Sequence, residues 1–225
     1  MTKDTNSVNG GAMSRTGRTT LVTPDRRHFI GGSDARIILG KDEEALLRLW
    51  REKRGEEAPA ASSDVVHLSL ATKDLNRRWY ELNSGYHVSD IRRHMIHRTI
   101  PWMDATPDGL VKETGALFKA TFTLPWSRET TAERHLAELQ HDMLVAGTTR
   151  SVLSIISGGG QWIELSIDAD PIYQTNLVAA EKFFWRSVST GEPPTLFDFD
   201  PPKSRVEAIR MVDIVTPLNE SIQNG

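Results

Sequence analysis

Apolar residues in the first half of the chain recur at the spacing of amphipathic helices. Residues 43–53 and 73–82 each place large apolar side chains on one helical face, and Gly55 stands where the first of these helices would end. The apolar positions are Leu46, Leu49, Trp50, Leu75, Trp79 and Leu82. We therefore predict two helices, each packed on a core through this face.

In the middle of the chain, successive side chains fall into two alternating sets, one of them apolar, and this pattern is typical of a strand. A short turn, residues 112–115, separates residues 109–111 from a longer alternating run at 116–124. One face of that run carries Ala116, Phe118, Ala120, Phe122 and Leu124, and the other carries Leu117, Lys119, Thr121 and Thr123. The pattern predicts two strands joined by the turn.

Helical and strand patterns continue to interleave in the second half. Residues 131–146 form the clearest amphipathic helix, with Gln140 on its apolar stripe. Two β-like runs, 151–157 and 161–167, flank three consecutive glycines and predict a hairpin. The boundary signals of a last helix are Asp170, Pro171 and Gly191. Because helices and strands alternate, we predict an α/β or α+β fold with a central mixed β-sheet flanked by helices.

The composition sets limits on the function. The 225 residues, of which 38% are hydrophobic, suffice for one sizeable core. The chain has no cysteine, which excludes disulfides and cysteine-ligated metals, and we expect a cytoplasmic protein. No apolar run is long enough for a membrane span or a signal peptide. With a formal net charge of −3, any nucleic-acid contact must use a local basic patch.

The two ends differ in composition from the core. Residues 1–22 are rich in Thr, Ser, Gly and Asn and predict a disordered N-terminal tail. Residues 23–197 form the predicted domain, and residues 198–225 a C-terminal tail. That tail contains a short amphipathic segment, residues 206–215, which we expect to dock on the domain or on a partner.

Four segments carry candidate chemistry. They are RRHFIGGSD at 26–34, KDLNRRWY at 73–80, ATPDG at 105–109 with FKATF at 118–122, and LQHDM at 139–143. In this order and spacing they resemble the YqaJ-type viral recombinase family, relatives of the lambda exonuclease in the PD-(D/E)xK nuclease superfamily. The resemblance runs from about residue 23 to residue 197 and implies a restriction-endonuclease-like core.

The resemblance also implies metal-dependent hydrolysis of phosphodiesters. In that family a divalent metal is held by an Asp at the end of one strand, a Glu two residues before a Lys on the next strand, and a Glu from an upstream helix. Hard cations such as Mg²⁺ or Mn²⁺ prefer carboxylate oxygens, and the Lys steadies the developing negative charge. The matching positions in this chain are Asp108, Lys119, Thr121 and Lys73.

Three of those four positions depart from the family pattern. Only Asp108 keeps the family residue, because Lys119 and Thr121 replace Glu-x-Lys and Lys73 replaces the helix Glu. The local charge changes from about −2 to about +1, which removes the electrostatic reason for a divalent cation to bind. We predict a degenerate centre without a metal cofactor, with Mg²⁺ or Mn²⁺ at Asp108 only if the site is still active.

The phosphate-holding half of the family site is better matched. The resemblance implies DNA or phosphate contacts by Arg26, Ser33, Thr106 and Gln140, through charge-assisted and hydroxyl hydrogen bonds. Residues 31–34 also have the pattern of a helix N-terminus, which favours an anion.

Most of these residues also fit a purely structural role. Residues 31–33 are typical of a helix cap without a ligand, and Gln140 of a core amide. Helix register could place Asp74 or Glu81, rather than Lys73, near the centre. Arg26 fits a solvated surface charge, and Asp108 fits a turn residue. Lys119 and Thr121 fit solvent-facing strand residues. A solvated helix face would explain His135, Glu138, His141 and Asp142.

Three functions remain open from the sequence. The first, which we predict, is a phage-type recombination protein that binds duplex DNA ends, with hydrolysis lost or impaired. The second is an active Mg²⁺- or Mn²⁺-dependent 5′→3′ exonuclease that takes its missing carboxylates from Asp74, Glu113 or Glu133. The third is a module that binds a partner nuclease or a single-strand annealing protein. Assembly into a homo-oligomer is compatible with the family resemblance.

Overall fold

The computed structural model of the chain describes residues 25–59, 63–124, 131–198 and 206–214. The helices within these ranges are α1 (Gly32–Ile38), α2 (Glu43–Arg54), α3 (Asp64–Ser84), α4 (Thr131–Ala146) and α5 (Pro171–Thr190), preceded by a 3-10 turn at Arg26–His28. The strands are β1 (Val88–Ser89), β2 (Met95–Ile96), β3 (Asp104–Ala105), β4 (Gly109–Val111), β5 (Leu117–Thr123), β6 (Arg150–Ser157), β7 (Gln161–Asp168) and β8 (Val206–Asp213). The tail predicted at residues 1–22 lies outside the described residues.

The strands form one six-stranded sheet and one two-stranded sheet. The larger sheet has the order β1-β4-β5-β6-β7-β8, and its pairings are antiparallel except for that of β5 with β6. The smaller sheet pairs β2 with β3. A parallel pair needs a crossover connection, and α4 supplies it between β5 and β6. The predicted mixed sheet flanked by helices is therefore confirmed.

Hydrophobic cores lie on both faces of the larger sheet. On one face Tyr80 of α3 packs against Phe118 of β5, with ring centroids 4.9 Å apart. On the other face Leu139 of α4 packs in the same cluster as Leu117 of β5. Neighbouring residues of β5 thus belong to opposite cores, which confirms the predicted alternation along this strand.

Helix α3 is rotated relative to its predicted orientation. Leu75 and Leu82 are 59% and 78% exposed, so the prediction that they pack on the core is wrong. Asn76 is buried against the sheet, and its Nδ2 donates to the carbonyl oxygens of Thr121 and Ser154 at 3.0 and 2.9 Å. A buried amide that serves two strands fixes the rotation of the helix, and apolar periodicity does not reveal such a contact.

The other boundary predictions agree well with the structure. Helix α4 spans residues 131–146, and α5 begins after the N-cap Asp170 and ends at Gly191, whose φ is 82°. Helix α2 likewise ends at Gly55, with a φ of 74°. Both glycines occupy the left-handed region, which costs other residues more. Strands β6 and β7 form the predicted hairpin.

The C-terminal amphipathic segment belongs to the sheet. Strand β8 pairs antiparallel with β7 along Val206–Asp213, so this segment docks on the domain as an edge strand. Docking on the domain was one of the two modes expected for this segment, and the boundary at residue 197 stays a prediction. None of the helices in the described ranges is long and apolar enough to cross a membrane.

Close packing of α1 on α4 depends on Gly32. A Cβ atom at this position would lie 2.5 Å from Asp142 Oδ1 and 2.9 Å from Glu138 Cγ. Both distances are shorter than ordinary van der Waals contact. Only glycine therefore allows this approach without a shift of α1 or of the Asp142 and Glu138 side chains. The approach holds Ser33 and Arg36 of α1 beside α4.

A buried ion pair joins α4 to α5. His141 and Glu181 are both fully buried, with Nδ1 2.8 Å from Glu181 Oε1, and His141 Nε2 lies 2.9 Å from the carbonyl oxygen of Asp104. Burial alone would lower the pKa of His141, but the Glu181 and Asp142 carboxylates and the carbonyl oxygen of Asp104 together outweigh burial and raise it to about 9. The histidine is therefore protonated at neutral pH and ties α4 to both α5 and β3.

We expect Gly32→Ala to lower the free energy of unfolding by about 1–3 kcal/mol, because the added methyl group collides with two side chains of α4. Urea unfolding followed by circular dichroism measures this change. Gly31→Ala is the matched control, since a Cβ atom there would meet nothing closer than 3.6 Å. Equal losses in the two variants would contradict the packing argument.

The raised pKa of His141 predicts a pH-dependent stability. The folded-state pKa of about 9 lies above the ordinary 6.5, so the stabilisation is complete below the ordinary pKa and is lost as pH rises through the folded one. We expect the free energy of unfolding of the wild type to fall by on the order of 2–3 kcal/mol over this pH range, relative to that of the double variant His141→Gln/Glu181→Gln. Urea midpoints measured on either side of the range test it, and parallel pH profiles for the two proteins would refute it.

Candidate functional site

A groove of about 420 Å³ opens between α3 and α4 and runs along β5. Its polar lining includes Ser33 and Arg36 of α1, Lys73 of α3, Lys119 and Thr121 of β5, and Arg134, His135 and Glu138 of α4. Its apolar lining includes Val66, Leu70, Phe122 and Leu124. The groove therefore combines a basic, hydroxyl-bearing side with an apolar wall.

Asp108 lies between β3 and β4, and it is buried beside this groove. Its Oδ1 accepts a hydrogen bond from Lys73 Nζ within an ion pair, and its Oδ2 accepts from the backbone N–H of Ala120 at 2.9 Å. Asp74 is 65% exposed and Glu81 pairs with Arg77. Of the residues considered on α3, Lys73 is thus the one that faces Asp108.

Lys119 is held by a second ion pair, from β5 to α4. Its Nζ lies 2.5 Å from Glu138 Oε1, and the other carboxylate oxygen of Glu138 lies 3.0 Å from His135 Nδ1. Lys119 also interacts electrostatically with Asp142 and Asp108. The Lys119 side chain is 13% exposed, so its interpretation as a solvent-facing strand residue is wrong. An ammonium group stands among three carboxylates.

Burial and charge act in opposite directions on this pair. Burial alone would lower the pKa of Lys119, but Glu138, Asp142 and Asp108 raise it above its ordinary value. Burial alone would raise the pKa of Glu138, but Lys119 and His135 together lower it well below its ordinary value. Both partners are therefore charged at neutral pH.

Asp142 ionises less readily than Glu138, because its pKa is raised whereas that of Glu138 is lowered. Burial raises its pKa to about 6, although the Lys119 ammonium opposes the rise. Asp142 therefore changes charge just below neutral pH, whereas Lys119 and Glu138 keep theirs.

The centre does not fit a divalent metal ion. Mg²⁺ and Mn²⁺ need several oxygen ligands, but both carboxylate oxygens of Asp108 are engaged, by Lys73 and by the backbone of Ala120. Glu138 is likewise engaged by Lys119. Across the ranges that the structure describes, no three His, Cys, Asp or Glu residues are arranged to hold a metal ion.

The four residues predicted to bind phosphate fall into two groups. Ser33 lines the groove, and Thr106 is exposed two residues before Asp108. Arg26 and Gln140 do not line the groove. The structure therefore places Ser33 in the groove. Thr106 is close to Asp108 in sequence but does not line the groove.

Gln140 is a core amide rather than a groove residue. It is fully buried, its Nε2 donates to the carbonyl oxygen of Asp168 at 2.9 Å, and its Oε1 accepts from the backbone N–H of Asp170 at 3.0 Å. These bonds tie α4 to the connection between β7 and α5. Because the amide is fully buried and bonded at both ends, Gln140 has the role of a core amide in this structure.

Arg26 takes part in a network that fixes α1 against α2. Its Nη2 lies 2.6 Å from Asp34 Oδ1, and its Nε lies 3.5 Å from Glu52 Oε1. The buried Lys53 Nζ donates to Asp34 Oδ2 at 2.7 Å. The Arg26 side chain remains 49% exposed, so its contact with phosphate stays a prediction.

Sequence reasoning missed the acidic side of the centre. The prediction that Glu138, His141 and Asp142 form a solvated face is wrong, because they are 8%, 0% and 3% exposed. Helices α1 and α5 both pack on α4 and cover this side. The available signal was the four-residue spacing of Glu138 and Asp142, which places both on one helical face beside the apolar stripe. Arg36 and Arg134 gave no comparable signal.

The carboxylates proposed as substitutes for the family ligands lie elsewhere. Glu113 is hydrogen-bonded to the backbone and ring of His87, at 2.9 and 2.8 Å. Asp74 and Glu133 are exposed, and none of the three lines the groove. The structure brings Glu138 and Asp142 towards Lys119 instead.

Two solved exonucleases share this fold. An alkaline exonuclease from Laribacter hongkongensis, LHK-Exo, has a TM-score of 0.61 and 16% sequence identity, and the match covers 74% of this chain and 91% of that one. A phage-related exonuclease from Haemophilus somnus 129PT has a TM-score of 0.57 and 9% identity, over 72% of this chain and 96% of that one. LHK-Exo has also been solved in complex with dAMP. At these identities the likeness concerns the fold.

The sequence also matches a curated relative, the uncharacterized protein YqaJ of Bacillus subtilis strain 168, at 26% identity over 182 residues. The match covers 76% of this chain but 57% of the relative, so this chain spans little more than half of the relative's length. Residues 23–149, more than half of this chain, match the YqaJ-like viral recombinase domain. With the predicted resemblance confirmed, the chain belongs to the family of YqaJ-like viral recombinase domains.

Proposed function

We propose that this chain binds the ends of duplex DNA in the groove without hydrolysing them. The observation that carries the proposal is the pair of ion pairs at the centre, Lys73 with Asp108 and Lys119 with Glu138. They put ammonium groups where the family pattern has carboxylates. The paired ammonium groups occupy the carboxylates that a divalent cation would need, and the exposed guanidinium groups of Arg36 and Arg134 in the groove lining attract the phosphate backbone. The two solved proteins that share the fold are described as exonucleases, and this supports a nucleic-acid ligand for the groove.

The groove is more basic than the chain as a whole. Arg36, Lys73, Lys119 and Arg134 line it together with a single carboxylate among the described lining residues, Glu138, whereas the whole chain has a formal net charge of −3. Arg36 and Arg134 are exposed, on α1 and α4 respectively. A local excess of positive charge is what phosphate binding requires in an acidic protein.

The size of the groove favours a strand end over an intact duplex. Its volume of about 420 Å³ falls in the range of small-molecule sites, about 300–1,000 Å³. Ser33 and Thr121 offer hydroxyl groups to phosphate or sugar, and Val66, Leu70 and Phe122 offer an apolar surface to a base. These features support binding of terminal nucleotides.

Metal-dependent hydrolysis is a second candidate, and one observation favours it. Glu138 is paired with Lys119, and Asp142 and Asp108 also interact electrostatically with its ammonium group. If that group were displaced, the carboxylates would suit Mg²⁺ or Mn²⁺. Breaking a buried ion pair is strongly unfavourable, and for this reason we place binding without cleavage first.

We expect Arg36→Gln/Arg134→Gln to weaken binding of a labelled blunt duplex, because two exposed phosphate contacts are lost. The dissociation constant should rise about tenfold or more at about 0.1 M salt, and the slope of log K against log salt should fall by about 2. Fluorescence anisotropy over a salt series measures both quantities.

The matched control for this test is Arg48→Gln/Arg51→Gln. It removes the same charge from α2, where both arginines pair with Glu57 outside the groove. Unchanged binding in the groove variant, or an equal loss in the control, counts against the groove. If the wild type binds no DNA at low salt but captures a recombination protein, the protein-binding function replaces this one.

We expect the wild type to bind no Mn²⁺ and to leave linear duplex undigested, because the ammonium groups of Lys73 and Lys119 engage the carboxylates. The triple substitution Lys73→Glu, Lys119→Glu and Thr121→Lys restores the family pattern and should create Mn²⁺ binding. Isothermal titration calorimetry measures the binding, and Asp108→Ala added to the triple variant should abolish it. Metal-dependent digestion by the wild type that disappears in Asp108→Ala would instead establish an active exonuclease.

A further inference from the structure

We propose that residues 90–98, the basic loop, hold the double-stranded part of the DNA whose end lies in the groove. This inference rests on the proposed function and names a second contact surface for it. The loop contains Arg92, Arg93 and Arg98 against one acidic residue, Asp90. Its formal charge is therefore +2, in a chain whose net charge is −3.

The basic loop adjoins the centre on two sides. A Cβ atom on Gly109 would lie 3.4 Å from Ile91 Cδ1. The Nη2 atom of Arg92 lies 3.8 Å from Oδ1 of Asp74. Gly109 and Asp74 each directly follow one partner of the central ion pair in the sequence. These contacts place the basic loop beside the residues that follow Lys73 and Asp108, next to the centre and outside the lining of the groove.

The fold holds the basic loop in place. Strand β1, before the loop, pairs with β4, and β2, within the loop, pairs with β3. His94 Nε2 lies 2.8 Å from Oδ2 of Asp104. Asp90 and Arg92 have positive φ angles of 49° and 52°, which non-glycine residues adopt at a cost when the surroundings enforce it. A loop fixed in this way loses little conformational freedom when it binds DNA.

The arginines of the loop are available to an external anion. The side chains of Arg92 and Arg93 are 54% and 64% exposed, and their carboxylate partners lie 3.8 and 3.3 Å away. Exposed pairs of this kind contribute about 0–1 kcal/mol, so a phosphate can replace the carboxylate. Arg98 is exposed and has no ion pair with any residue that the structure describes.

Duplex DNA is the partner that fits both the charge and the position of the loop. A groove of about 420 Å³ accommodates terminal nucleotides, so under the proposed function the phosphates of the paired region lie outside it. Arginine suits phosphate because its planar guanidinium donates two parallel hydrogen bonds. Contacts of this kind depend on the phosphate backbone rather than on base sequence.

The test uses the full chain with Arg92→Gln/Arg93→Gln and two DNA probes, a blunt duplex and a single strand of a few nucleotides. We expect affinity for the duplex to fall about tenfold, and its salt slope to fall by about 2. Affinity for the short strand should change by less than about twofold, because that probe occupies the groove alone. Fluorescence anisotropy measures both probes, and thermal unfolding checks that each variant is folded.

Two further variants separate this inference from the proposed function. Arg36→Gln/Arg134→Gln should lower the affinity for both probes, and the control Arg48→Gln/Arg51→Gln should lower the affinity for neither. If the loop variant keeps wild-type affinity for the duplex, or loses both probes equally, the role of the loop is overturned and binding in the groove stands. If the wild type binds neither probe at low salt, both proposals are overturned.

Discussion

A charge removed from water must keep a partner, and this requirement organises the centre of the molecule. Lys119 lies on β5 and Glu138 on α4, so their ion pair fixes the crossover helix against the strand that lines the groove. Removing either partner would leave a buried charge unpaired, at a cost of about 3–5 kcal/mol. The contact that makes the centre unsuitable for metal therefore also stabilises the fold. A substitution that brought carboxylates to this position would therefore also replace a structural contact.

The sequence predicted most elements because their periodicity reflects burial directly. In α4 the apolar stripe with Leu139 and Met143 does face the core, and both residues are fully buried. The orientation of α3 was not predictable in this way, since it depends on the amide of Asn76 and two carbonyl groups that are distant in sequence. The amphipathic pattern of residues 206–215 indicated docking but not the pairing of β8 with β7, because an exposed edge strand needs no regular apolar face.

The candidate site was predictable where a motif fixes position, and unpredictable where tertiary packing decides burial. Lys73 pairs with Asp108, and Lys119 interacts electrostatically with Asp108, at the positions that the family resemblance implied. Glu138 and Asp142 enter the same cluster only because α1 approaches α4 closely and α5 covers its other side. Local periodicity describes one face of a helix, and α4 is buried on more than one. The composition of the candidate site thus depended on tertiary structure more than the family assignment did.

The edge position of β8 has a consequence for the handling of this domain. A recombinant fragment that stopped after α5 would remove the strand that covers β7, and β7 would become the new edge. Its unpaired backbone groups would then lie beside Trp162, Ile163 and Leu165, which now pair with Val212, Met211 and Ala208. A long uncovered edge with apolar side chains is a template for aggregation. Such a fragment would therefore be less soluble than the full chain, because it lacks β8, a segment far from the groove in sequence.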